Sequence, residues 1–162
     1  MSQHIEAVTV NHNTSIFAEL MLRSLYEMHS SDLDLSVTVL DSQSTDDTSI
    51  LQEFAQTKGV AFHTTELSTD NRYAGNTHGE NLRTFVLDHP DCDYYLFLDA
   101  DTVFVQANTI NTMRDEFDGD KEVFGVQARI SWDGKTERSD GSWNRGGREH
   151  FKRWVRGPSE ED

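Results

Sequence analysis

Five consecutive apolar residues, Tyr94-Tyr95-Leu96-Phe97-Leu98, stand between Asp93 and Asp99. A strand with one wet face alternates apolar and polar side chains. An unbroken apolar run predicts a strand covered on both faces, and so a central place in a parallel sheet with helices above and below. The rest of the chain supplies the partners. Ile5 to Val10 and Leu35 to Leu40 read as strands, and Val60-Ala61-Phe62 as a short third one. Between them, Phe17, Leu20, Met21, Leu25 and Met28 recur at helical spacing, as do Ile50, Leu51, Phe54 and Ala55.

Punctuation agrees with that alternation. Asn11-His12-Asn13-Thr14 are helix-capping residue types, and Ser44 followed by Asp47 resembles a capping box. Gly59 after Lys58 predicts a left-handed stop. Residues 64–81 read as a polar loop entering a helix whose buried face is Leu82, Phe85 and Val86, ended before Pro90. Ile110, Met113 and Phe117 mark another helix, and the alternation from Glu122 to Ile130 a last strand. The expected fold is a doubly wound α/β domain with a mainly parallel sheet.

Charge limits the partners. The 162 residues carry a net −15. Residues 131–162 hold seven basic and seven acidic residues, so the whole excess falls on residues 1–130. Such a surface repels a nucleic-acid backbone, and nucleic acid is not an expected partner. It is also the surface a high-salt cytoplasm would favour. The single cysteine, Cys92, excludes an intrachain disulfide framework and a cysteine-rich zinc site. No stretch is long and apolar enough to span a bilayer, and Met1-Ser2-Gln3-His4 begins no basic region followed by an apolar stretch, so a secretory signal is not expected and a cytoplasmic location is the default expectation.

Ligands of open parallel sheets bind beyond the carboxyl ends of the strands. That rule singles out Asn11-His12-Asn13, Asp41 to Thr48, Asn76 to Asn81 and Asp99-Ala100-Asp101. Asp-x-Asp occurs four times, at 32/34, 91/93, 99/101 and 118/120, and only the 99/101 pair directly follows an apolar strand. Two hard carboxylates there suit Mg²⁺ or Mn²⁺, with coordination positions left for phosphate oxygens.

These segments, in order, resemble family-2 glycosyltransferases with the GT-A fold. Val8 to Asn13 (V-T-V-N-H-N) is similar to that family's first-strand motif, and Val39 to Thr48 (V-L-D-S-Q-S-T-D-D-T) to its V-D-N-x-S-x-D-x-T segment. His78 to Leu82 (H-G-E-N-L) resembles a helix start of one branch, and Tyr94 to Asp101 the strand that ends in the D-x-D metal motif. The resemblance implies a GT-A core over residues 1–130 and a nucleotide-diphosphate-sugar donor, a UDP-sugar first among them. It implies Mn²⁺ or Mg²⁺ as cofactor and inversion at the anomeric carbon. Asn11 and His12 would line the base pocket and Asp41 would bond the base or ribose. His78 and Asn81 would lie near the diphosphate or sugar. Asp99 would face the ribose or sugar and share the metal with Asp101, the main ligand. Asp46 is read as part of a helix start.

The family's catalytic base and acceptor site lie downstream, often marked by a Glu-Asp pair. Here Glu161-Asp162 imitates that pair, which makes Asp162 a catalytic candidate beside the plainer reading of an acidic terminus. Residues 131–162 hold all three tryptophans and half of the basic residues. They would form either an abbreviated acceptor side or a cover for the sheet, with His150 a possible extra metal ligand. A non-catalytic nucleotide-sugar-binding module, or a subunit lacking a complete acceptor site, is the alternative to an enzyme. A nucleotidyltransferase fits less well, because residues 11–14 offer no glycine, lysine or arginine.

Overall fold

The computed structural model describes residues 3–29, 31–66 and 74–128. Trp132, Trp143, Trp154, His150, the helix expected at 148–155 and Asp162 lie outside the described residues. The elements run β1 (His4–Asn11), α1 (Ser15–Met28), β2 (Asp34–Asp41), α2 (Ser49–Lys58), β3 (Ala61–Thr64), α3 (Ala74–Asp88), β4 (Tyr94–Leu98) and α4 (Thr109–Gly119). The chain divides into two units, Met1–Asn108 and Thr109–Asp162, and α4 belongs to the second.

The four strands form one sheet in the order β3-β2-β1-β4, with every pairing parallel. All four strands therefore end on one edge. β1 and β2 are paired along their full length, from His4↔Asp34 to Asn11↔Asp41. Side chains alternate across the sheet, so Val8 and Val10 share a face with Leu40. There they form a buried cluster with Phe85 of α3, with Leu82 and Tyr95 packed against it. Asn11 points to the opposite face, where its amide meets Ser15 at the start of α1. On that side α1 packs against β1 and α2 against α1. Helices thus cover both faces of a parallel sheet, the doubly wound arrangement expected.

Several local expectations hold in detail. Gly59 sits at φ +71°, and the Val60 N–H closes the end of α2 on Ala55 O at 2.9 Å. Leu51, Phe54 and Ala55 are buried. Others do not. In α1 the buried stripe is Ala18, Met21, Leu22 and Leu25, whereas Phe17 and Leu20 are about half exposed. Ile50 of α2 is exposed as well. Helical spacing admits two overlapping stripes here, and the sheet selects the one that contains Ala18, because a small residue lets the helix approach closely.

β4 is the end strand of the described sheet rather than a central one, and Phe97 is 51% exposed. Leu96 and Leu98 on its other face are buried. An apolar run specifies what could be covered, whereas strand order depends on where the crossovers land. The strand expected from Glu122 is absent over residues 122–128, and Phe124 is 70% exposed. Alternation supplies a face but no ladder partner. α3 is longer than expected: it takes in residues 74–81, whose Asn, Gly and Thr content had suggested a loop. Packing of Leu82 and Phe85 on the sheet overrides that weak propensity.

The edge opposite the strand ends carries a charged clasp. The His4 imidazole lies 3.0 Å from Glu6 Oε1 and 3.2 Å from Asp34 Oδ1, and the His4 N–H donates to Asp93 Oδ2 at 2.7 Å. The hydrogen bond to Glu6, helped by Asp34 and opposed by partial burial, holds the His4 pKa above its ordinary value. Protonated His4 thus favours the folded chain. Its contribution is full below the ordinary imidazole range and disappears as the pH rises through the raised value. On a largely solvated edge it is worth under about 1 kcal/mol. His4→Gln should therefore lower the melting temperature slightly at pH 5.5 to 6 and leave it unchanged at pH 9. Thermal melts across that range check it.

Candidate functional site at the carboxyl edge

Three loops leave the carboxyl ends of adjacent strands and are tied to one another by side chains. At the end of β1, Asn11 is fully buried. Its Nδ2 lies 2.7 Å from Asp41 Oδ1, 3.0 Å from Ser44 Oγ and 3.1 Å from Ser15 Oγ. Its Oδ1 accepts from Thr14 Oγ1 at 2.9 Å. Both ends of this amide are therefore engaged inside the protein.

Asp41, at the end of β2, is 5% exposed. A buried carboxylate needs donors, and three are present. Oδ1 accepts from Asn11 and, at 2.6 Å, from Ser44 Oγ; Oδ2 accepts from the Ser44 N–H at 3.1 Å. An ionised carboxylate offers about four acceptor directions, so Oδ2 retains capacity for one more donor. Asp41 thus organises the turn that follows it while keeping acceptor capacity for a ligand.

The capping box expected from Ser44 and Asp47 does not form. Ser44 turns inward to Asp41, and α2 starts at Ser49, with Asp47 Oδ1 accepting from the Ser49 N–H at 2.9 Å. Hydrogen bonding from the Ser49 hydroxyl, and then from its N–H, holds the exposed Asp47 carboxyl below its ordinary pKa. Asp46 is part of a helix start, as expected, but of α1 across the loop. Its Oδ2 accepts from the Ser15 N–H at 3.0 Å and its Oδ1 from Ser15 Oγ at 3.1 Å. A carboxylate there satisfies an orphan amide and complements the positive end of the helix dipole.

Asn13 and Gln43 complete the tie. Both adopt left-handed backbone, φ 55° and 54°, which is uncommon outside glycine. Asn13 Oδ1 accepts from the Thr45 N–H at 2.7 Å and the Asp46 N–H at 3.2 Å. Gln43 Nε2 donates to Glu66 O at 3.1 Å, on the loop beyond β3. His12 is half-buried, with Nδ1 2.8 Å from Ser42 O and Nε2 3.2 Å from Asn13 Nδ2. The pair of contacts fits Nδ1 as donor to the Ser42 carbonyl and Nε2 as acceptor from Asn13. Asn13, Gln43 and Ser44 lie inside the segments singled out from sequence, but none was given a ligand-binding role there; the available signal was a cluster of Asx and Ser at two strand ends.

Asp99 and Asp101 are exposed on the turn beyond β4, closed by the Thr102 N–H on Asp99 O at 3.1 Å. β2 and β4 flank β1, which puts the Asp41 and Asp99 ends about 10 Å apart across the sheet, two strand spacings. After Asp101 the chain runs back along α1, with the Phe104 N–H on Ser24 Oγ at 3.0 Å. Among the described residues no group of three or more His, Cys, Asp or Glu gathers as a metal site. Two accessible carboxylates still suit a hard cation that takes its remaining ligands from water and phosphate. On α3, His78 is half-buried, and Asn81 is 2% exposed with a buried Nδ2 that meets no acceptor among the described residues.

No protein-family model matches the chain, and no curated protein matches its sequence. Solved structures do resemble it. S. aureus TarS 1–349 superposes with a TM-score of 0.56 at 17% identity, over 79% of this chain and 39% of that one. TarS 1–349 in complex with UDP-GlcNAc gives 0.54 at 18%, over 72% and 32%. The mannosyltransferase PcManGT from Pyrobaculum calidifontis, in complex with GDP-Man and Mn²⁺, gives 0.57 at 24%, over 76% and 34%. The chain spans about a third to two fifths of the length of these proteins. What they share with it is the GT-A-like, Rossmann-like fold. Among the described residues no helix is long and apolar enough to cross a membrane.

Asp46→Ala should remove the cap of α1 and cost about 1 kcal/mol of stability, the usual worth of a helix-capping side chain. Urea denaturation of the variant beside the wild type measures it.

Proposed function

We propose that this chain binds a nucleotide-diphosphate-sugar at the carboxyl edge of its sheet and acts in glycosyl transfer. The observation that carries the reading is the meeting, on one edge of a parallel sheet, of a buried carboxylate with acceptor capacity left and an exposed carboxylate pair two strands away. Likeness to folds solved with UDP-GlcNAc and with GDP-Man and Mn²⁺ supports it. In this reading Asp41 Oδ2 takes a base N–H or ribose hydroxyl, and His12 lines the base pocket. Asn11, buried and engaged at both ends, contributes by holding Asp41. Asp99 and Asp101 would hold Mg²⁺ or Mn²⁺, which supplies charge for the diphosphate as it leaves. Asn81 Nδ2 would donate to a diphosphate or sugar oxygen, and His78 would lie beside it.

Residues 1–130 would form this donor-binding core, and residues 131–162 an acceptor side or sheet cover. Transfer with inversion needs a base on the acceptor hydroxyl, a role for which Asp162 is the candidate. The second reading is a donor-binding module, or a subunit with an incomplete acceptor site, that binds the donor without turnover. Donor hydrolysis with and without sugar and peptide acceptors separates the two.

Thermal shifts with UDP-, GDP- and dTDP-sugars, with and without Mn²⁺, test binding itself. Stabilisation by at least one donor, larger with Mn²⁺, is expected; none with any of them refutes the proposal. Asp101→Asn should abolish the Mn²⁺-dependent part and leave the melting temperature of the free protein unchanged, because the side chain is exposed.

Asn81→Leu should behave in the opposite sense. Replacing a buried amide whose N–H₂ lacks an acceptor among the described residues removes a desolvation penalty of about 1–3 kcal/mol. The variant should melt at or above the wild-type temperature and bind donor more weakly, as melting curves with and without nucleotide-sugar will show.

A further inference from the structure

Ser44 is joined to the β1 and β2 ends by four hydrogen bonds. Its Oγ donates to Asp41 Oδ1 at 2.6 Å and accepts from Asn11 Nδ2 and the Asn13 N–H, each at 3.0 Å. Its N–H donates to Asp41 Oδ2 at 3.1 Å. A hydroxyl has one proton and two lone pairs, and all three are taken by protein groups. Ser44 therefore has no capacity left for a ligand, while both oxygens of Asp41 depend on it for orientation. The same oxygen fixes Asn13, whose side chain accepts from Thr45 and Asp46 and so ties the two loops.

We propose that Ser44 is a positioning residue for nucleotide binding. It clamps the Asp41 carboxylate so that Oδ2 presents its remaining acceptor direction to the base or ribose, and its effect on the nucleotide passes through Asp41 rather than through a contact of its own. This rests on the reading of the site as a nucleotide-sugar site. The clamp works by preorganisation: a carboxylate already held in place loses less freedom when a ligand arrives.

Calorimetric titration with UDP and GDP, on the full chain, tests it. Ser44→Ala should weaken the nucleotide that the wild type binds by about ten-fold, the worth of one charge-assisted hydrogen bond. Ser44→Thr, which keeps the hydroxyl, should restore most of the affinity. The double variant of Ser44→Ala and Asp41→Asn should bind no more weakly than Asp41→Asn alone, because two residues acting through one contact are not additive. Additive losses, or a Ser44→Ala protein that melts lower but binds as the wild type does, would overturn the proposal. If Asp41→Asn does not fold, the Ser44→Ala and Ser44→Thr pair decides the matter by rescue. A wild type that binds neither nucleotide defeats the site reading itself and the proposal with it. A wild type that binds while Ser44→Ala is unaffected defeats only the proposal.

Discussion

The interaction on which this edge of the molecule depends is the burial of the Asp41 carboxylate against Asn11 and Ser44. An isolated carboxylate excluded from water is strongly unfavourable, so its donors must be in place whenever the chain is folded. Those donors come from β1 and from the turn after β2. Their convergence on Asp41 fixes the register of Asn11 opposite Asp41 and the path of both loops. The left-handed backbone at Asn13 and Gln43 persists because side-chain bonds on either side over-determine it.

That polar edge stands on an apolar base. Val8, Val10 and Leu40 meet Phe85 on one face, and Met21, Leu22 and Leu25 are buried on α1. The parallel order makes every strand end on the same side, and the change of crossover direction beside β1 leaves the ends of β1 and β4 adjacent with their loops diverging. This geometry makes such edges concave, and here it also gathers polar residues. A divalent ion on Asp99 and Asp101 would lie in the same place and would offset a net charge that otherwise opposes a diphosphate.

Rigid and accessible groups are separated within the site. Asn11, Asp41, Ser44 and Asp46 are held by several bonds each, whereas Asp99 and Asp101 stand exposed on a turn. In the proposed reading, a group that recognises a base or ribose gains from being fixed in advance. A pair that recruits a hydrated cation gains from room for its water.

The sequence by itself determined the elements and where chemistry could gather. Period and punctuation specified α1, α2, β1 and β2, the stop at Gly59 and the position of Asp99 and Asp101 beyond a strand, because each depends on residues close in the chain. Tertiary structure decided the rest. Ser44 and Asp47 have the spacing of a capping box, yet Ser44 serves a buried carboxylate and Asp46 caps a helix that starts 31 residues earlier. Ala18 rather than Phe17 faces inward, residues 74–81 are helical, and β4 ends the described sheet. In each case local preference amounts to a few tenths of a kcal/mol up to about 1, and burial or pairing with a distant segment outweighs it. A sequence window holds no record of which distant donor will reach a side chain, and only the packed sheet brings the two together.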